Sequence, residues 1–127
     1  MKNICLVILC LLAFISCDKP SIVNSTLIQG TWRWTGSTTD VASMSPTPAS
    51  VGYEMTYTFH ENNTVTIITD TFVRIDTYRL VPNATYQGKS VSNMINIRGT
   101  DYLYDLTSKH LKLVMAYEEA ETISFEK

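Results

Sequence analysis

The sequence predicts an all-β domain, an antiparallel up-and-down barrel of seven to eight strands, eight when complete. Three observations carry this. Apolar and polar residues alternate with a period of two along most of the chain after residue 30. Turn signals rich in Asn, Gly, Asp and Ser recur about every ten residues, the spacing of consecutive hairpins. No ten-residue helical period follows the first apolar run. Closure into a barrel then removes the two exposed edges that an open meander leaves.

The chain begins with a segment of another kind. Met1-Lys2-Asn3 is a short basic start, and residues 4–15 form an apolar run of about a dozen residues, the length of a secretion signal and short of the ~20 needed to span a bilayer. The run closes on Phe14-Ile15-Ser16-Cys17, which resembles the lipobox of bacterial lipoproteins, with Phe14 where Leu is commoner. The resemblance implies a cleaved signal peptide over 1–16 and Cys17 as the first mature residue. Its sulfur would carry a diacylglyceryl group and its amine an acyl chain of palmitate type. Each buried methylene adds ~0.8 kcal/mol, so several chains hold the protein where one would not. Asp18 resembles the inner-membrane retention signal of enteric lipoproteins, a rule that does not extend to Bacteroidetes. The expected location is the bacterial cell envelope, on the outer membrane, in either leaflet.

Cys5 and Cys10 fall in the removed segment, so a mature chain has no thiol beyond the acylated one, and disulfides, thiolate metal sites and cysteine nucleophiles are not expected. The net charge of −2, with no cluster of Lys or Arg, argues against nucleic acid as a partner. About 110 residues remain, enough for one domain with a modest core. Residues 17–26 read as the lipidated tether and 27–127 as the barrel domain. Ser25 is placed to cap a single helical turn ended by Gly30, with a plain loop as the alternative.

The strands follow in order. Trp32 and Trp34 share a face with Arg33 opposed, a strand over 31–35. Residues 37–50, rich in Ser, Thr, Ala and Pro, read as one long loop with only Val41 and Met44 as sizeable apolar residues. From Tyr53 the alternation is strict, with Tyr53, Met55, Tyr57 and Phe59 on one side. Glu61-Asn62-Asn63 turns the chain and Val65 and Ile67 return it, making 53–68 a hairpin. A strand over 72–81 stops at Pro82, which offers no ladder donor. The stretch 84–90 is ambiguous. Four further strands are predicted over 94–98, 102–106, 111–116 and 121–125.

Gly30-Thr31-Trp32 resembles the Gly-x-Trp signature of lipocalins. With the long loop after strand one, Tyr57 and Phe59 before an Asn-rich turn, Asp76-Thr77-Tyr78, and Tyr104-Asp105-Leu106-Thr107 before Leu111-Lys112-Leu113, the chain is similar over 27–127 to small lipocalin-like lipoproteins of Bacteroidetes. The resemblance implies that Trp32 closes one end of the barrel, with Lys127 the candidate for the basic residue that stacks on it. Two departures stand out: no lipocalin C-terminal helix follows the last strand, and Lys127 alone is available for the stack.

The function expected is binding of a small hydrophobic or amphipathic molecule at the envelope. The alternative is a non-enzymatic structural or interaction subunit whose filled barrel shows its loops to an envelope protein. Candidate ligand-binding residues are Trp34, Met44, Tyr53, Tyr57, Tyr78, Tyr102 and Tyr104, because inward tyrosines need partners for their hydroxyls; plain core packing is the competing reading. Arg74 and Asp76 share a strand face with Phe72 and Tyr78, either as the lining of a polar cavity or as an exposed pair. His60 and His110 sit in or beside turns and read as solvated, and Ser108, His110 and Asp105 crowd one turn without an oxyanion element. No catalytic residue, metal or cofactor is expected. The 37–50 loop reads either as a lid whose Met44 faces the barrel mouth or as a bare connection.

Overall fold

The computed structural model describes residues 22–39, 45–116 and 121–127. Eight antiparallel strands close into a barrel in the order β1-β10-β9-β8-β7-β4-β3-β2. These are β1 (Gly30–Thr38), β2 (Met55–Phe59), β3 (Thr64–Thr69), β4 (Val73–Val81), β7 (Met94–Ile97), β8 (Thr100–Leu106), β9 (His110–Met115) and β10 (Thr122–Glu126). The ambiguous stretch is a separate small hairpin, β5 (Ala84–Tyr86) with β6 (Lys89–Val91), inserted between β4 and β7 without breaking the meander.

Turn chemistry sets the register. Asn63 supplies the positive φ of the β2–β3 turn, at 61°, and the Asn62 carboxamide oxygen accepts from the Thr64 hydroxyl at 2.6 Å. Arg98 and Gly99, at φ 52° and 84°, make a two-residue turn between β7 and β8 with both central residues left-handed, the pattern that matches the twist of a tight hairpin.

Three features before β2 differ from the sequence reading. First, a helix α1 (Ile22–Ile28) occupies the second half of the expected tether. Second, β1 runs on to Thr38, past the expected end at residue 35, through a bulge between Trp34 and Gly36. The extra residue reverses the parity of the strand, so that Ser37 is buried where alternation from Trp34 would point it outward. Third, the 37–50 loop is not irregular throughout: a short helix α2 (Pro48–Val51) is capped by Thr47 and ended by Gly52 at φ 78°. The second half of this loop covers the edge of β1 that β2 leaves unpaired, where the Ser37 N–H donates to the Pro46 carbonyl at 2.8 Å. Gly36 permits that approach, because a Cβ there would lie 3.3 Å from the Pro46 oxygen.

One end of the barrel is filled. Trp32, Ile28, Phe59, Val65, Ile95, Leu111 and Phe125 are almost wholly removed from water. The Trp32 indole N–H donates to the Ile28 carbonyl at 2.6 Å, tying α1 beneath the barrel, and the Lys127 ammonium stands 5.0 Å from the Trp32 ring centroid. The same ammonium donates to the Gln29 carbonyl at 2.6 Å. Phe59 and Tyr78 meet edge to face at 5.0 Å, the geometry favoured by aromatic quadrupoles.

Candidate functional site

Toward the other end the inward side chains change character strand by strand. On β4 the inward series runs Tyr78, Asp76, Arg74, from an aromatic ring to an ion pair. On β2 it runs Phe59, Tyr57, Met55, and on β10 Phe125, Ile123, with the two phenylalanines buried and the residues beyond them only partly so. The result is a cavity of about 150 Å³ inside the barrel. Ile67, Ile97 and Leu113 form its buried base, the phenols of Tyr57 and Tyr102 stand in its walls, and Arg74 and Arg98 reach it from the solvent side.

Asp76 organises the arginines. Its side chain is 10% exposed; Arg74 Nε lies 2.6 Å from Oδ2 and Arg98 Nε 3.8 Å from Oδ1. Oδ2 nevertheless has no aligned hydrogen bond, so the short contact with Arg74 is one of charge without a well-directed N–H. Arg98 reaches Asp76 because the β7–β8 turn ends level with Thr77, whose carbonyl accepts the Arg98 N–H at 3.1 Å.

The two tyrosines remain neutral donors. Burial, followed by the neighbouring Tyr102, pushes the Tyr57 hydroxyl up to about 12, against a downward pull from Arg74. The Tyr102 hydroxyl is raised by burial and then by Glu121, with Arg74 again opposing. Among the described residues neither hydroxyl has a hydrogen-bond partner, and neither is sealed from the cavity. A second hollow of about 490 Å³ lies at the rim, between Tyr53 and Met55 on one side and Phe72 on the other.

The other candidate residues separate by role. Trp34 is 3% exposed, its indole N–H bonded to the Ser37 hydroxyl at 3.2 Å, so it packs the core. Tyr53 lies before β2, not within it, and is 42% exposed with its ring stacked on Trp34 at 5.8 Å. Tyr78 donates to the His60 carbonyl at 3.0 Å, and burial alone raises its hydroxyl. Tyr104 is buried in the core cluster. Tyr57 and Tyr102 are thus brought together at the cavity, while Trp34, Tyr53, Tyr78 and Tyr104 are not. Met44 and Cys17 lie outside the described residues. Phe72 sits in the β3–β4 turn, half exposed, and takes no part in the cavity.

Sequence reasoning missed Arg98, in the β7–β8 turn, and Thr100, at the start of β8, which both line the cavity. The available signal was a bulky cation immediately before Gly99, where a tight turn ordinarily carries Asn or Asp. Among the described residues no three His, Cys, Asp or Glu side chains gather where they could hold a metal ion. His60 bonds the Thr66 hydroxyl at 2.8 Å and His110 lies 3.8 Å from Glu126, both at the surface. No protein family, curated protein or solved structure matches the chain.

Proposed function

We propose that the chain is an envelope lipoprotein, anchored through an acylated Cys17, whose lipocalin-like barrel binds a small amphipathic molecule at the end opposite α1. The observation that carries this reading is the cavity itself: an apolar base, two unpartnered phenols and two guanidinium groups converge on about 150 Å³ inside an otherwise filled barrel. A space of that size holds a single ring or a short chain, not the ~300 Å³ or more of a drug-sized ligand. No catalytic role is proposed. Native mass spectrometry of the protein taken from its own host tests the reading: a co-purifying small molecule supports it, and a chain that neither carries nor takes up any small molecule overturns it. The anchor is tested apart, since Cys17→Ala should abolish labelling by a fatty-acid analogue, and label retained on the variant refutes the lipobox assignment.

A second reading, an interaction subunit of an envelope complex, is favoured by one feature of β4. Its residues 78–81 pair with β7, whereas 73–77 pair with β3 alone. On this half-bare strand Val73 and Ile75 point outward, 67% and 68% exposed, next to the half-exposed Ile68. An edge of unpaired backbone with apolar side chains is a template for a further strand. A photo-cross-linker at position 75 in cells separates the readings: a stoichiometric protein neighbour with no bound small molecule favours the second.

A further inference from the structure

Resting on the binding reading above, we infer that the cavity selects a small organic monoanion, a ring-sized carboxylic acid. Its apolar body would rest on Ile67, Ile97 and Leu113, and its carboxylate would lie between Arg98 and the hydroxyls of Tyr57 and Tyr102. The cavity has one polar side and one apolar side, so a ligand that fills it must be amphipathic. The polar side is dominated by donors, with the hydroxyls of Thr100 and the two tyrosines able to accept as well. Guanidinium groups have no acceptor, and the two phenols, their titration pushed upward, keep their protons at neutral pH and can donate.

The charge count sets the sign. Asp76 engages Arg74 at 2.6 Å and approaches Arg98 only to 3.8 Å, so two guanidinium groups face one carboxylate and Arg98 has donors to spare. Arg98 is also 65% exposed, free to turn toward an entering anion, and a forked guanidinium matches a carboxylate in geometry as well as charge. Glu121, outside the lining, acts on both tyrosines and opposes an anion at long range. Its presence predicts a modest affinity that rises when its charge is removed. An inorganic anion would leave the apolar base unfilled, and a neutral hydrocarbon would leave Arg98 and the phenols without an acceptor.

The test is an NMR titration of the full chain with benzoate and with its uncharged counterpart benzyl alcohol, read at the methyl groups of Ile67, Ile97 and Leu113. Benzoate is expected to shift those methyls and to bind about tenfold more tightly than benzyl alcohol, the margin of a hydrogen bond to a charged group. Arg98→Gln, on an exposed turn, should erase that preference by lowering benzoate affinity about tenfold, to the level of benzyl alcohol, and Glu121→Gln should strengthen benzoate binding a few-fold. Equal binding of the two probes, or a preference that survives Arg98→Gln, overturns the anion assignment and leaves the binding reading standing. Benzoate shifts confined to residues away from the cavity overturn it as well. If neither probe binds, the anion assignment falls, and native mass spectrometry then decides the binding reading alone.

Discussion

The two ends of the barrel are built from the same eight strands, with the same alternation, and come out physically opposite. At the α1 end the inward positions hold Trp32, Phe59, Val65, Tyr78, Leu111 and Phe125, packed and dry. One step or two further along the same strands stand Tyr57, Arg74, Asp76, Tyr102 and Ile123, partly wet and charged. The first end is closed from outside by a helix and a lysine; at the second stand its turns and the α2 loop, whose Gly52 and Tyr53 line the rim hollow. A barrel of eight strands has an interior just wide enough for side chains to fill, so whether it is solid or hollow is decided layer by layer by the residues that point inward. Here the lower layers are large and apolar, and the upper one contains an ion pair that cannot be packed away without its water or a substitute for it.

That contrast can be broken experimentally, most forcefully at Trp32. Trp32→Ala should cost about 3–5 kcal/mol, because it opens a large void in a fully buried layer and orphans the Ile28 carbonyl. Tyr102→Ala at the other end should cost about 1 kcal/mol. Urea unfolding of both variants is the measurement, and equal losses would erase the distinction between the ends.

The next effect is on pH. Because Tyr57 titrates near 12 in the folded chain against 10.0 for the free phenol, the native state keeps a proton that the unfolded chain has released between those values. The stability is fully present below pH 10 and falls as pH rises through the native value, by roughly 2–3 kcal/mol. Urea midpoints at pH 8, 10 and 11 should show the decline, and Tyr57→Phe should flatten it to what Tyr78 and Tyr102 contribute.

Lys127→Ala should cost about 1 kcal/mol, the scale of an exposed cation over a ring together with a net hydrogen bond to the Gln29 carbonyl. Amide exchange in α1 would speed up with it, and unchanged exchange would mean that the lysine does not hold the helix. Ile75→Lys should change stability by less than about 0.5 kcal/mol, since the side chain is already in water. With the photo-cross-linker moved to the exposed position 73, the same variant should abolish any cross-link to a protein neighbour through β4 if the interaction reading holds.

Much of this was legible in the sequence, and the failures have physical causes. Alternation located every barrel strand from β2 onward, because each has one face in the core. It also placed β1 over 31–35 but stopped short of Thr38, because the bulge at Thr35 reverses parity and makes Gly36, Ser37 and Thr38 look like loop. It included Tyr53 in a strand that begins at Met55, since an aromatic stacked on Trp34 from outside the ladder keeps the same spacing. The Arg74–Asp76 alternative was framed correctly but could not be decided, because both outcomes share one pattern. Only the pairing shows that β3 and β4 rise above the β7–β8 turn, which sets Arg98 beside Thr77 and within reach of Asp76 and makes the cavity polar. Arg98 was invisible for the same reason: local spacing describes a turn, not the strand beside which it comes to rest.

The attachment of α1 at the filled end has a consequence for how the molecule would be oriented. If Cys17 is acylated as proposed, only four residues separate it from Ile22, and five Cα steps span on the order of 17 Å at most. The filled end would then sit against the lipid headgroups like the foot of a goblet, with the hollow rim held toward the aqueous compartment. A molecule reaching Arg98 and Tyr102 would arrive through water and not by sliding out of the bilayer, which selects for solutes that are themselves water-soluble.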